Sequence, residues 1–225
     1  MGYKIAVVGA SGAVGQELLK VLERRSSEGK FPVDQLRLFG SSRSAGTVVE
    51  SSVFGPITVE LFSVESVREC HVVFLAVSGD FALEHAKNIC AGENGPVVID
   101  NSSAYRYDPD IPLVVPEING DVTKTGGKLI ANPNCTTAIA VMAVAPLAQE
   151  FGLKRLLVST YQAASGAGQP GMDELLQGTK DQLLDGKTPQ NQVFVHPLPF
   201  NVIPHIDKFQ PNGYTKEEMK VTWET

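Results

Sequence analysis

Cys135 is the residue of this sequence whose setting best suits covalent chemistry. It stands between a short apolar segment at residues 129–131 and a long apolar stretch that is typical of a helix. A cysteine acts as a nucleophile in its thiolate form, and the N–H groups at a helix N-terminus stabilise a thiolate. Cys70 precedes a predicted buried strand and Cys90 lies on a predicted amphipathic helix, so neither has such a setting. A buried, inert thiol is the alternative interpretation for Cys135.

A glycine-rich turn forms a second candidate site. Residues 9–15 read Gly-Ala-Ser-Gly-Ala-Val-Gly, follow the apolar segment at residues 3–8 and precede a helical pattern. Glycines let the backbone approach a pyrophosphate, and the helix N-terminus supplies N–H donors and a partial positive charge. The turn therefore predicts a dinucleotide site. Its second glycine departs from the GxGxxG spacing, so a tight turn without a ligand stays open as the alternative.

The end of the second predicted strand favours NADP over NAD. An NAD-binding domain usually places Asp or Glu there to bind the ribose 2′-hydroxyl. Residues 39–46 contain no acidic side chain, but they contain Arg43 and three serines, Ser44 among them. A guanidinium with neighbouring hydroxyls suits a 2′-phosphate. A solvated loop arginine is the other interpretation of Arg43.

Alternating strands and helices position these residues. We predict a parallel, doubly wound α/β (Rossmann) fold, because apolar strands alternate with helices along the first part of the chain. A helix with Leu18, Leu19 and Leu22 on one face follows the glycine-rich turn, and another covers residues 81–90. The predicted strands are residues 3–8, 35–39, 72–77, 97–100 and 129–131, with a hairpin formed by residues 48–53 and 57–62.

After Cys135 the pattern changes to that of an α+β domain. We place the boundary near residue 132, which gives a cofactor domain at residues 1–132 and an incomplete catalytic and dimerisation domain at residues 133–225. Thr215 and Glu218 have the spacing of a capping box at the start of the last helix. The predicted elements are a helix at 136–149 that Pro146 should kink, a strand at 155–163, and helices at 172–184 and 215–225.

Composition excludes several classes of protein. The 225 residues are 43% hydrophobic with a net charge of -6, which argues against intrinsic disorder and against a nucleic-acid-binding surface. No run of 18 apolar residues predicts a membrane span. The three cysteines form no CxxC pair and no secretory signal is apparent, so we expect a reducing compartment, the cytoplasm or a plastid.

Six motifs in register resemble those of the aspartate-semialdehyde dehydrogenases of the bacterial type. The resemblance runs in order from residue 2 to residue 225, and six modest motifs in sequence are together highly specific. The motifs are residues 9–15, 41–46, 100–106, 115–119, 132–137 (Asn-Pro-Asn-Cys-Thr-Thr) and 159–168.

The resemblance implies an activity. Similar proteins use NADPH to convert L-aspartyl-4-phosphate to L-aspartate-4-semialdehyde through an acyl-thioester on the cysteine that matches Cys135. The reaction belongs to the biosynthesis of lysine, through diaminopimelate, and of threonine and methionine. Family members form dimers or tetramers, so we expect a homo-oligomer. We expect no nucleic-acid, membrane or metal partner.

The resemblance also assigns roles to individual residues. Gln162 matches the residue that orients the substrate, Arg106 matches the phosphate-binding arginine, and Glu217 and Lys220 match the pair that holds the substrate amino group and phosphate. From residue type alone, Gln162 would be a strand-end amide and Arg106 a loop cation. Glu217 and Lys220 would form a surface ion pair. The residues that match cofactor contacts are Gly9, Ser11, Gly12, Ala13, Val14, Arg43, Ser44, Ser165 and Gly166.

One family feature is missing from this sequence. The family uses a histidine as general acid-base partner of the thiol, near a carboxylate-binding arginine, and His71, His85, His196 and His205 do not match that motif. Family members are also longer, so we expect the chain to be an N-terminal part of a larger protein. Two alternatives stay open: a non-catalytic nucleotide-binding homologue, or a related acyl-phosphate reductase of the N-acetyl-glutamyl-phosphate reductase kind.

Overall fold

The computed structural model describes residues 2–225, which form two compact units. The first unit contains the residues up to Glu150 together with Glu224, and the second contains residues 151–223 and Thr225. The predicted first domain begins at Met1, which lies outside the described residues. The predicted boundary near residue 132 remains a prediction.

The first unit is built on a twisted sheet. Among residues 2–225 the sheet has seven strands in the order β3-β4-β2-β1-β5-β6-β7, and all neighbours are parallel except the β3–β4 hairpin at one edge. This order confirms the predicted doubly wound fold. The strands are β1 Tyr3–Val8, β2 Val33–Gly40, β3 Val48–Ser51, β4 Gly55–Leu61, β5 Val72–Leu75, β6 Val97–Asp100 and β7 Leu129–Ala131.

Helices cover both faces of this sheet because alternate strand residues point to opposite sides. Ala6 and Val8 of β1 pack in one buried cluster with Ile89. Ile5 and Val7 pack in a second cluster that includes Leu19 and Leu22, as the helical pattern predicts. The helices of this unit are α1 Ala13–Ser27, α2 Val64–Arg68, α3 Gly79–Cys90, α4 Pro116–Asn119 and α5 Cys135–Phe151, whose last residue belongs to the second unit.

Short helices are the elements of the first unit that the sequence pattern misses. α2 has five residues and α4 has four, so neither is long enough to show an apolar period of 3.6. Ser63 caps α2 by accepting a hydrogen bond from the Ser66 N–H at 3.1 Å. α5 continues through Pro146, and the kink predicted there remains a prediction.

The second unit has helices but no sheet within the described residues. α6 Gly168–Leu184 confirms the predicted amphipathic helix and begins four residues earlier, and α7 Lys216–Glu224 has the predicted capping box at Thr215. The predicted strand at residues 155–163 is wrong: this segment pairs with no other strand in residues 2–225. A strand is defined by hydrogen bonds to a neighbour, so local β preference alone does not make one.

Candidate functional site

The glycine-rich turn has the backbone geometry that the sequence predicts. It connects β1 to α1, and Gly9 has a φ of 85°, in the left-handed region that favours glycine. A Cβ on Gly9 would lie 2.2 Å from the Ala76 carbonyl oxygen, and a Cβ on Gly15 would lie 2.4 Å from the Gly9 carbonyl oxygen. The glycines therefore bring the turn, the neighbouring strand and α1 into contact that side chains would prevent.

A cleft opens beside this turn, at the carboxyl ends of the parallel strands. Its volume of about 520 Å³ lies in the range of small-molecule and cofactor sites. The chain goes from β1 to β2 on one side and later to β5 on the other, so the cleft lies where the strand order reverses. The lining residues are Val8, Gly9, Ser11, Gly12, Gly40, Ser41, Ser44, Leu61, Phe62, Ala76, Val77, Ser78 and Phe81.

The turn after β2 presents Arg43 and Ser44 at the same edge of the sheet. The Ser44 N–H donates to the Ser41 carbonyl at 3.0 Å, and Ser44 packs against Gly40, where a Cβ would lie 2.1 Å from the Ser44 hydroxyl oxygen. Arg43 is exposed, and within residues 2–225 its guanidinium makes no ion pair. The glycine-rich turn at the N-terminus of α1 fits a dinucleotide, and the turn after β2 adds a cationic side chain at the same edge of the sheet.

Cys135 is the first residue of α5, and its side chain is exposed. Asn134 caps the helix, because its Oδ1 accepts from the Thr136 N–H at 2.9 Å and from the Thr137 N–H at 3.4 Å. The thiol therefore lies at a helix N-terminus, the setting that the sequence predicts.

The other two cysteines differ from Cys135 in burial. Cys70 is fully buried and Cys90 partly buried, and burial raises the pKa of each thiol above its ordinary value. Both therefore remain protonated thiols at neutral pH, which agrees with the inert roles that the sequence assigns to them.

Arg106 lies against the loop that precedes Cys135. Its side chain is buried, its Nε donates to the Asn132 carbonyl at 2.8 Å, and its Nη2 donates to the Asn101 carbonyl at 3.1 Å. Its Nη1 donates to the Glu224 carboxylate at 3.2 Å. The first unit thus brings a guanidinium to the loop that carries the thiol, and it is not the solvated loop cation that residue type alone suggests.

A second cluster of predicted site residues lies within the second unit. The Glu217 carboxylate accepts from the Gln162 amide at 3.4 Å through one oxygen and from Lys220 Nζ at 2.8 Å through the other. Lys220 also donates to Asp207 at 3.2 Å. The Lys220 and Glu217 side chains are mostly buried, so this is not a surface ion pair.

The charges of this cluster are strongly coupled. Burial disfavours the charged form of Lys220, but Glu217 and Asp207 outweigh burial and raise the pKa of Lys220 above its ordinary value. Burial opposes ionisation of Asp207, while the Lys208 N–H and Lys220 lower the pKa of that carboxyl. Lys220 thus contacts the carboxylates of both Glu217 and Asp207.

Other predicted positions have simple surroundings. Ser165 and Gly166 are exposed on a 3₁₀ turn at Ala164–Ala167, and their cofactor role remains a prediction. His71 accepts a hydrogen bond from the Lys4 N–H at 2.9 Å, and His85 packs against aromatic rings. Within residues 2–225 no group of three or more His, Cys, Asp or Glu could hold a metal ion, and no helix is long and apolar enough to cross a membrane.

Glu224 and Asp207 belong to these clusters although no local sequence signal indicates them. Glu224 lies 118 residues from Arg106 in the chain, and Asp207 lies 13 residues before Lys220. Neither separation has the period of a helix or a strand, so only the fold brings these carboxylates to their partners.

The comparisons with known proteins agree with this geometry. Residues 4–126 match the family model described as "Semialdehyde dehydrogenase, NAD binding domain", and residues 144–225 match "Semialdehyde dehydrogenase, dimerisation domain". An aspartate-semialdehyde dehydrogenase of Aquifex aeolicus is 44% identical over 227 residues, which cover 100% of this chain and 65% of that protein. The chain belongs to the aspartate-semialdehyde dehydrogenase family. The sequence resemblance is thereby confirmed.

Solved structures of aspartate-semialdehyde dehydrogenases have the same fold. The Vibrio cholerae enzyme II, described as complexed with ASA, is 40% identical with a TM-score of 0.89, covering 100% of this chain and 65% of that one. A Candida albicans member described as solved with NADP is 30% identical with a TM-score of 0.50, covering 68% of this chain and 48% of that one. The chain thus spans about 65% of the length of family members such as the Aquifex protein. The cofactor class of the family is a nicotinamide dinucleotide.

Proposed function

We propose that the complete protein reduces L-aspartyl-4-phosphate to L-aspartate-4-semialdehyde with NADPH, through an acyl-thioester on Cys135. The observation that carries this proposal is the exposed Cys135 at the N-terminus of α5, beside a buried arginine and in the same unit as a dinucleotide cleft. Its place is the biosynthesis of lysine, threonine and methionine, as the resemblance implies, and the cysteine pattern favours the cytoplasm or a plastid.

The chemistry begins at the thiol. The Cys135 thiolate attacks the acyl carbon, a C–S bond forms, and the C–O bond to phosphate breaks, so that phosphate leaves with the electron pair. When bound, the nicotinamide supplies a hydride to the thioester carbonyl carbon. Cleavage of the C–S bond then releases the semialdehyde and regenerates the thiolate.

The first unit supplies groups for both negatively charged ligands. Arg106 offers its guanidinium to the phosphoryl group that leaves, since its planar donors match phosphate oxygens. The backbone from Gly9 to Val14 receives the pyrophosphate of the cofactor, and Arg43 and Ser44 receive its 2′-phosphate. The NADP complex of the Candida albicans relative supports this choice of cofactor.

The second unit supplies the groups that hold the amino acid. Gln162 orients the substrate, and the Glu217 carboxylate, which lies beside Gln162, binds its ammonium group. Lys220 keeps its positive charge at neutral pH because its pKa is raised, so it can contact phosphate. The "dimerisation domain" family model and the exposed apolar side chains of this unit support a homodimer or homotetramer.

A cysteine replacement tests the reaction in the complete protein. We expect Cys135→Ser to lower turnover of aspartyl phosphate and NADPH by at least about 10³-fold, because a hydroxyl is a far weaker nucleophile than a thiolate. The dissociation constant for NADPH should change less than about twofold. Cys90→Ser is the matched control and should keep its turnover.

The outcomes separate the competing functions. Turnover that survives Cys135→Ser contradicts the thioester mechanism. A wild-type protein that binds NADPH but never oxidises it with aspartyl phosphate is a non-catalytic homologue. A preference for N-acetyl-glutamyl phosphate identifies the related reductase.

A charge reversal tests the cofactor. Arg43→Glu should weaken NADPH binding at least about tenfold more than NADH binding, because only NADPH carries the 2′-phosphate. Arg25→Glu, an exposed arginine at the end of α1, is the matched control. Equal losses of NADPH and NADH affinity contradict the role of Arg43.

A further inference from the structure

Glu224 is a buried carboxylate that the proposed chemistry does not yet use. It ends α7, clusters with the first unit, and its side chain has no exposed surface. One oxygen accepts from Arg106 Nη1 at 3.2 Å and from the Tyr107 hydroxyl at 3.0 Å. The other accepts from the Asn134 N–H at 2.6 Å. A buried carboxylate needs such partners, since an unpaired charge in this position would be strongly destabilising.

The contacts of Glu224 determine which donors of Arg106 remain for a ligand. A guanidinium has five N–H groups. Within residues 2–225, Arg106 uses three of them, on Asn132, Asn101 and Glu224. The remaining two are one on each terminal nitrogen, and they are the donors that Arg106 retains for phosphate oxygens. Together with the carbonyls of Asn132 and Asn101, Glu224 therefore holds the guanidinium in one orientation.

Glu224 also holds the loop that carries the thiol. It accepts the N–H of Asn134, and the Asn134 side chain caps the N-terminus of α5 directly before Cys135. The same carboxylate thus fixes both the backbone beside the nucleophile and the cation beside that backbone. No other carboxylate among residues 2–225 contacts both Arg106 and this loop.

We propose that Glu224 is a positioning residue of the reaction: it holds Arg106 and the Cys135 loop in the mutual arrangement that binds the phosphoryl group beside the thiol. The proposal rests on the proposed function, since it assigns Arg106 to phosphate. Glu224 itself contacts neither substrate nor cofactor in this scheme.

The test uses the complete protein in the reverse direction, with the semialdehyde, NADP and inorganic phosphate. Glu224→Gln should raise the KM for phosphate at least about tenfold, because a neutral amide no longer fixes the guanidinium, while the dissociation constant for NADP changes less than about twofold. Tyr107→Phe removes one donor to Glu224 and should raise that KM about threefold. This milder variant keeps the test valid if Glu224→Gln does not fold.

Glu60→Gln is the matched control. Glu60 forms an ion pair with Arg37 at 2.6 Å, a pair on the sheet that touches none of these residues. Its loss should reduce stability and leave the KM for phosphate unchanged. If both glutamine variants lose stability and neither changes the KM for phosphate, Glu224 is only structural and the proposal is wrong.

An alkylation assay separates this proposal from the proposed function. Inorganic phosphate should slow the reaction of iodoacetamide with Cys135 in the wild type, and Glu224→Gln should lose that protection. Suppose that the wild type shows no turnover, but that phosphate protects its Cys135 from alkylation and Glu224→Gln loses this protection. The proposed function is then wrong, and the positioning role of Glu224 stands. Protection that is absent from the wild type, or equal in both proteins, overturns the positioning role.

Discussion

The sheet core of the first unit and the segment at residues 155–163 of the second unit differ in the burial of their apolar side chains. In the first unit, residues of β1, β5 and α3 such as Ile5, Val73 and Ile89 are completely buried between the sheet and its helices. In the second unit, Leu157 and Tyr161 are 82% and 90% exposed along a segment that pairs with no strand in residues 2–225. The side chains of β1, β5 and α3 therefore form a closed core, whereas this segment of the second unit leaves large apolar side chains at the surface.

The largest expected effect is on the free energy of unfolding of this 225-residue chain, when one apolar side chain is truncated in each unit. Ile89→Ala should lower the free energy of unfolding by about 3 kcal/mol, because it leaves a cavity in a closed core. Leu157→Ala should change it by less than about 0.5 kcal/mol, because the side chain is exposed. Urea unfolding followed by circular dichroism measures both. Equal losses would contradict the comparison.

The next largest effect is on the stability of a loop in the second unit, which the Glu174 carboxylate holds in place. The Glu174 carboxylate accepts hydrogen bonds from the N–H groups of Gln192, Val193 and Phe194 at 2.6–3.1 Å. Burial opposes its ionisation, but these three donors lower the pKa of Glu174 below its ordinary value. Its stabilisation is therefore present above pH 4.5 and is lost as the pH falls through the lowered pKa.

Glu174→Gln should accordingly destabilise this loop by about 1–2 kcal/mol, because it removes the charge from three hydrogen bonds. Hydrogen exchange of the backbone N–H groups at residues 192–194 measures the effect. At neutral pH these groups should be less protected in Glu174→Gln than in the wild type, and in acid the wild type should lose protection as well. Asp173→Asn is the control on the same helix, since its carboxylate contacts the Gln169 side chain instead. A loop equally protected in all three proteins would contradict this account.

The smallest effect concerns the helix that closes the second unit. Thr215→Ala should cost about 1 kcal/mol, because the Thr215 hydroxyl accepts from the Glu218 N–H and the Glu218 carboxylate accepts from the Thr215 N–H. Thr222→Ala, inside the same helix, should stabilise it slightly, because alanine is the better helix former. Thermal unfolding compares them, and a Thr215→Ala protein as stable as Thr222→Ala would show that the cap contributes nothing.

The strands of the first unit could be predicted because they pair with one another. β1, β6 and β7 have the predicted bounds, since their apolar runs are strands of a sheet whose members all lie within the described chain. The segment at residues 155–163 has similar local preferences and forms no strand. The local sequence indicates a preference for extended backbone, but a strand forms only where a neighbouring strand pairs with it.

The site was predictable to the extent that its parts are local. A cysteine at a helix start and glycines at a strand-to-helix turn are recognisable from spacing alone, and both occur as predicted. The pairing of Arg106 with Glu224 joins residues 118 positions apart, and no periodic pattern reports such a contact. The roles of Gln162, Glu217 and Lys220 came from resemblance, and they remain proposals.

The central claim is that Cys135 carries the acyl group, and one burst measurement tests it. The complete protein is mixed with the semialdehyde and NADP in the absence of phosphate, and NADPH absorbance and intact protein mass are recorded together. We expect a burst of NADPH equal in amount to the active sites, together with an aspartyl adduct on Cys135 that phosphate removes. NADPH production without any adduct, or an adduct that persists in Cys135→Ser, would contradict it.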